Sequence, residues 1–173
     1  MTAETSIREA TYNDAETLSN LGGRTFAETF GHLYKPSDLN KFLEKSQSVS
    51  VYRRLFNDPL WRAWIAETAA GEAVGYACAG PCDLPVPDRP AQSGELQRFY
   101  ILAPHQGGGL GGRMLTIALD WLEARFDYLY LSVRAENFGA QRLYRRFGFE
   151  KVHDYFYMIG DHADPEWIMK RAP

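Results

Sequence analysis

Five of the seven residues in Gln106-Gly107-Gly108-Gly109-Leu110-Gly111-Gly112 are glycine. A helical pattern starts at once after them, with Leu115, Ala118, Leu119, Leu122 and Phe126 at three- and four-residue steps. A helix N-terminus leaves its first backbone N–H groups without partners and carries a partial positive charge. Glycines let the chain turn through positive φ and leave no Cβ between those N–H groups and a ligand. Residues of this kind in this order can cradle a phosphate or diphosphate. The plainer alternative is a flexible turn, which needs one or two glycines rather than five.

Two familiar phosphate loops do not fit. A Walker-A loop opens its helix with Gly-Lys-[Ser/Thr], whereas Gly112 is followed by Arg113 and Met114. The dinucleotide pattern G-x-G-x-x-G is formally met by Gly107, Gly109 and Gly112. Its context is wrong, because Pro104-His105-Gln106 separates the preceding strand from the first glycine. Only 61 residues follow Gly112, too few for the rest of a doubly wound sheet.

The elements that position the loop can be read on either side of it. Glu95 to Leu102 is an apolar, aromatic run of strand length, stopped by Pro104. Tyr128 to Val133 alternates as a second strand, with Leu129, Leu131 and Val133 on one face. After Asn137 a short helix carries Ala140, Leu143, Tyr144 and Phe147, and Gly148 ends it.

Gln106-x-x-Gly109-x-Gly111, after a strand ending at Pro104, resembles the acetyl-coenzyme A loop of the GNAT N-acetyltransferase superfamily. Asn137-Phe-Gly-Ala140-Gln-Arg-Leu-Tyr144-Arg-Arg-Phe-Gly148-Phe149 resembles its second motif, N-x-x-A-x-x-x-Y-x-x-x-G-F. The two occur in the family's order, joined by a helix and a strand, and the resemblance covers residues 62–158 well.

The resemblance implies a splayed parallel pair formed by strands 95–102 and 128–134, with the coenzyme's pantetheine arm entering the splay like an added strand. Phe99 and Ile101 then supply backbone hydrogen bonds, with Tyr100 between them. Gln106, Gly107, Gly108, Gly109, Leu110, Gly111 and Gly112 hold the diphosphate, and Asn137 bonds the coenzyme. Tyr144 matches the family's general-acid tyrosine. A phenol has a pKa of about 10 and a thiol about 8.5, so a hydrogen bond that steadies the sulfur is a safer role than full proton transfer. Glu95 matches a position where relatives place a carboxylate that accepts the amine's proton. Each has a structural alternative: Tyr144 a core residue, Glu95 a solvated strand end, Asn137 a helix cap. Arg113, Arg142 and Arg146 could reach phosphates, but surface arginines are common and the sequence singles out none of them.

The rest of the chain reads as scaffold and acceptor wall. Ser6 to Ala10 is a first strand. A helix to about Phe30 carries Leu18, Leu21 and Phe26, and a second starts near Pro36 with Leu39, Phe42 and Leu43 on one face. Ser46 to Ser50 reads as a hinge and Val51 to Phe56 as helix. Trp61 to Thr68 and Ala73 to Ala79 form a hairpin, and the proline-rich Pro81 to Ser93 is an ordered surface loop. Tyr155 to Ile159 and Trp167 to Arg171 are the last strands, joined by a turn over Gly160 to Pro165. The sum is a single domain over 1–173 of α/β (α+β) class, a mixed and mainly antiparallel twisted sheet with helices on both faces. Glu28, Thr29, Phe30, Tyr34 and Asp38 fall on the acceptor side. Phe26-x-x-Thr29-Phe30 with Tyr34 and Leu39-x-x-Phe42-Leu43 resembles the bacterial spermidine/spermine N-acetyltransferase branch, which often shows Trp-Glu where this chain has Arg134-Ala135.

Composition narrows the class. Hydrophobic content is 45%, charged content 24% and net charge −3, ordinary for a globular domain and unfavourable for nucleic acid. No apolar run reaches membrane-spanning length and the first residues lack a signal-peptide pattern, so a cytoplasmic protein is expected. Cys78 and Cys82, four residues apart on one expected strand, are separated by roughly 13 Å, while a disulfide needs Cα atoms within about 7 Å. The four histidines show no metal-ligand spacing, so no metal is expected. The expected activity is acetyl-coenzyme A-dependent acetylation of a primary amine on a small molecule, a polyamine among the candidates. The alternatives are acetylation of a protein N-terminus or lysine, and a coenzyme-binding module without chemistry, which would not need Tyr144. Relatives often dimerise, so a homodimer is an open expectation.

Overall fold

A computed structural model describes residues 4–173. The elements run β1 (Thr5–Glu9), α1 (Ala15–Phe30), α2 (Pro36–Gln47), α3 (Val49–Phe56), β2 (Arg62–Thr68), β3 (Ala73–Pro81), β4 (Ser93–Ile101), α4 (Leu110–Glu123), β5 (Tyr128–Arg134), α5 (Phe138–Arg146), β6 (Glu150–Ile159) and β7 (His162–Arg171). The strands form one sheet in the order β1-β2-β3-β4-β5-β7-β6. Every pairing is antiparallel except that of β4 with β5. Among the described residues no helix is long and apolar enough to cross a membrane.

Helices cover both faces of the sheet. α4 turns Leu110, Met114, Leu115, Ala118, Leu119 and Leu122 inward, and Gly94 of β4 lies against Leu122 and Phe126 at its end. On the other face Arg98 of β4 reaches Gln47 at the end of α2 and Tyr52 in α3. α1 adds Leu18 and Leu21 to the same core.

One irregularity decides which β4 residues face the site. Cys78 of β3 stands opposite Arg98 and Ala79 opposite Leu96, so Gln97 is the extra residue of a β-bulge. Strict alternation would put Gly94 and Phe99 on opposite faces. With the bulge both face the α4 side, since Gly111 of α4 approaches Phe99 and Ile101. Glu95, Arg98 and Tyr100 consequently share the other face.

Several boundaries differ from the sequence reading. Ser48 alone separates α2 from α3, because its extended backbone breaks the helix and its hydroxyl accepts from the Val51 N–H. β6 starts at Glu150 and β7 at His162, so Asp164 and Pro165 belong to a strand rather than the turn. β6 is an edge whose Val152, Phe156 and Met158 are exposed, which blurs its alternation. Pro165 lies just past the last β5–β7 register pair, its carbonyl accepting from the Ala135 N–H at 2.9 Å, so its missing N–H falls at the end of that ladder. Cys82 lies one residue past β3, and both cysteines are buried and free.

Candidate active site

β4 and β5 pair from Ser93–Tyr128 to Leu96–Leu131 and then part, although β4 runs on to Ile101 and β5 to Arg134. Beyond Leu96 the β5-facing edge of β4 has no strand partner among the described residues, while its other edge stays bonded to β3. The gap opens into a cleft of about 1340 Å³, bounded by the glycine loop, α5 and the α1–α3 side.

The loop is built around two left-handed glycines. Gly107 and Gly109 both sit at φ 84°, and Gly109 is the N-cap of α4. Any side chain there would be strained whatever the space around it. Gln106 Nε2 donates to the Ile101 carbonyl at 2.8 Å and ties the loop to the end of β4. Gln106, Gly107, Gly109, Gly111 and Gly112 line the cleft; Gly108 and Leu110 do not, and the Leu110 side chain is buried in the core. The free N–H groups of the first α4 turn therefore border the same cleft as the free edge of β4. That pairing of a bare helix start with a bare strand edge fits a ligand having both a diphosphate and an amide-containing arm. Of the three arginines considered for phosphates, Arg146 lines the cleft. Arg113 is turned away, bonded at 2.8 Å to the Thr5 hydroxyl on β1.

Tyr144 projects from α5 with its ring 6.2 Å from Phe99 and 6.3 Å from Phe149. It lines the cleft and is 6% exposed. Burial, with Tyr100 and Glu166 nearby, raises its phenol well above the ordinary value. Full transfer of its proton to a thiolate is thus harder than free phenol and thiol values imply, and hydrogen-bond donation is the chemistry left to it. Asn137 does cap α5, accepting from the Ala140 N–H at 3.2 Å, and it also borders the cleft.

Glu95 is 8% exposed and accepts one bond, from the Asp83 N–H at 3.1 Å to Oε2. Burial raises its pKa from 4.5 to about 7 despite that bond. A carboxyl poised there is matched to taking a proton near neutrality. Tyr100 shares its face and stacks on Tyr76 at 5.8 Å.

Across the cleft, Glu28, Thr29, Phe30 and Tyr34 form the expected wall. Asp38 does not, because its carboxylate rests against Gly160 in the β6–β7 turn. The Tyr34 hydroxyl donates to the buried Asp164 carboxylate, which also pairs with Arg134 at 2.9 Å. Arg134 in turn covers the Phe30 ring at 4.8 Å. These bonds fasten the end of α1 to β5 and β7.

Comparison with known proteins bears on this arrangement. Residues 27–149 match the family model described as Acetyltransferase (GNAT) family. The chain belongs to the GNAT acetyltransferase family. An uncharacterized N-acetyltransferase of Mycobacterium tuberculosis is 28% identical over 162 residues, 91% of this chain and 97% of that one. A spermine/spermidine N(1)-acetyltransferase of Bacillus subtilis is 38% identical over 84 residues, 46% of this chain and 54% of that one. In fold, the chain is similar to the PaiA N-acetyltransferase of Thermoplasma acidophilum solved with coenzyme A, with a TM-score of 0.75, 17% identity, and 98% and 99% of the two chains covered.

As a GNAT acyltransferase the chain shows three features in or beside the cleft that its sequence alone does not disclose. Gln141 is buried and donates from Nε2 to the carbonyls of Arg134 and Ala135, fixing the β5–α5 corner beside Asn137. Glu166 of β7 stands opposite Arg134, and burial raises its pKa to about 7. A last strand starting at Trp167 leaves that residue out. Arg98 is a cation inside an apolar strand, which is the one visible signal for it.

Proposed function

We propose that this GNAT enzyme transfers an acetyl group from acetyl-coenzyme A to a primary amine of a small molecule, by direct attack and without an enzyme-bound acyl group. The observation that carries the proposal is the parting of β4 from β5 beside the bare N-terminus of α4. The co-substrate would supply a thioester carbonyl and a thiol leaving group. The backbone of Phe99, Tyr100 and Ile101 would pair with its amide arm. The glycine loop, Gln106 to Gly112, would hold its diphosphate, with Asn137 at the edge of the arm. The amine nitrogen bonds to the acetyl carbon as the carbon–sulfur bond breaks. Glu95 takes the amine's proton, directly or through one water. Tyr144 donates a hydrogen bond to the departing sulfur, and the high pKa of its phenol keeps its own proton in place. Holding amine and thioester in line supplies most of the acceleration in such a reaction.

Polyamines enter the acceptor set through the Bacillus subtilis relative. The test is a screen of amines that reads free thiol released from acetyl-coenzyme A. Acceptor-dependent thiol release that saturates supports the proposal. Saturable coenzyme binding with no release for any amine, peptide N-terminus or lysine would leave a binding module instead.

A further inference from the structure

The cleft is lined by charges of both signs, Glu28, Arg134, Arg146, Asp164 and Glu166 among them. Glu95 and Asp83 line it at the β4–β5 end, whereas Lys45, Arg54 and Arg98 line it toward α2 and α3. Among the described residues none of those three cations takes part in an ion pair. Arg98 is the most telling, because its side chain is half-buried in the wall among uncharged groups. Its electrostatic neighbours are the phenols of Tyr52 and Tyr76 and the Cys78 thiol, with no carboxylate among them. It lies 5.1 Å from the Tyr52 ring centroid. Both of its hydrogen bonds run from Nη1, to Gln47 Oε1 at 3.0 Å and to the Tyr52 hydroxyl at 2.8 Å.

Nε and Nη2 therefore have no acceptor among the described residues, and Arg98 lines the cleft. That free edge is the side of a guanidinium whose two N–H groups run parallel. It matches the two oxygens of a carboxylate. A half-buried cation bonded only by neutral oxygens, with one edge open to the cleft, can take an anion there. Gln47 and Tyr52 aim it rather than neutralise it.

We infer that the acceptor is an amino acid-like molecule: its carboxylate binds the Nε–Nη2 edge of Arg98, and its amine is presented to Glu95 on the same face of β4. Lys45 and Arg54 add positive field at the carboxylate end. The inference rests on the acyltransfer reading above and narrows its acceptor, placing a polyamine, with no anionic group, second.

The test uses matched acceptors: β-alanine beside ethylamine, 5-aminopentanoate beside pentylamine, several α-amino acids beside their decarboxylated amines, and spermidine. Each is assayed by thiol release at saturating acetyl-coenzyme A. At least one carboxylated member should exceed its partner in kcat/KM by about ten- to hundredfold, the worth of a charged hydrogen-bond pair. R98Q should abolish that preference, mainly through KM, and R98K should restore part of it. Coenzyme calorimetry on each variant shows that it is folded. A preference for spermidine, equal use of both members of every pair, or a preference that survives R98Q would overturn the inference while leaving acyltransfer intact. If no amine releases thiol, the acyltransfer reading fails. Saturation-transfer NMR of 5-aminopentanoate and pentylamine on wild type and R98Q then decides the carboxylate site alone. A 5-aminopentanoate signal that is present in wild type and disappears in R98Q supports it, and equal signals in the two proteins overturn it.

Discussion

Replacing Glu95 by Gln should stabilise the protein and disable it, and both effects should follow pH. The side chain is buried with one backbone donor and no cationic partner in contact. Lifting its carboxyl from 4.5 to about 7 means that the folded state holds the proton more tightly than the unfolded chain. The stability this gives the protonated form is full below 4.5 and is lost as pH rises to about 7. Once ionised, the buried carboxylate costs the fold about 3 kcal/mol relative to its neutral form. Glutamine is neutral at every pH, and its Oε1 can still accept from the Asp83 N–H. The difference in unfolding free energy between Glu95→Gln and wild type should be near zero at pH 4 and reach about 2–3 kcal/mol at pH 8.5. Urea titrations across that range measure it. Glu166, also raised to about 7, is present in both proteins and cancels in the difference. In kcat/KM, the wild-type rise through about pH 7 should vanish in the variant, with rates lower by about 10²–10⁴-fold. The acceptor amine's own deprotonation affects both proteins alike. A stability difference that is flat with pH would show that the carboxyl is not held in a raised state, and identical pH–rate profiles would show that it is not the base.

Three other substitutions separate the remaining roles. Tyr144→Phe removes the hydroxyl and leaves the ring against Phe99 and Phe149; kcat should fall about 10–100-fold, equivalent to ~1.4–2.7 kcal/mol, while the coenzyme Kd by calorimetry stays constant. Gly109→Ala meets no neighbouring atom, so its cost is the left-handed backbone alone, about 1–2 kcal/mol, read as a lower Tm together with weaker coenzyme binding. Asn137→Ala deletes the cap on Ala140 and should cost about 1 kcal/mol in urea unfolding; a coenzyme Kd that also weakens assigns it a binding role as well, and an unchanged Kd leaves it a cap only.

What the sequence could and could not disclose follows from the range of the interactions. The glycine loop, the α4 and α5 periodicities and the Gly148 stop are local, and the structure places all of them where composition and spacing put them. The bulge at Gln97 is not local. It arises from the register of β4 on β3, and without it Glu95 and Phe99 would share one face. Glu166 is hidden because β6 is an exposed edge with weak alternation, which obscures the true start of β7. Arg113 could not be told from Arg142 and Arg146 as a phosphate candidate by sequence, because the Thr5 that holds it comes from more than a hundred residues away. Asp38 looks like acceptor wall until the β6–β7 turn covers it. Arg98 needs three separate segments, α2, α3 and β4, to be seen as a cation without a counter-ion.

Coenzyme binding by the proposed mode needs the bare amides of the α4 N-terminus and of the β4 edge to act together. Backbone amide shifts recorded during a titration of the full chain with acetyl-coenzyme A test it directly. Saturable changes concentrated at Phe99 to Ile101 and Gln106 to Gly112, reaching Asn137, are expected. Saturable binding whose shifts fall elsewhere, or no saturable change at these residues, would contradict it.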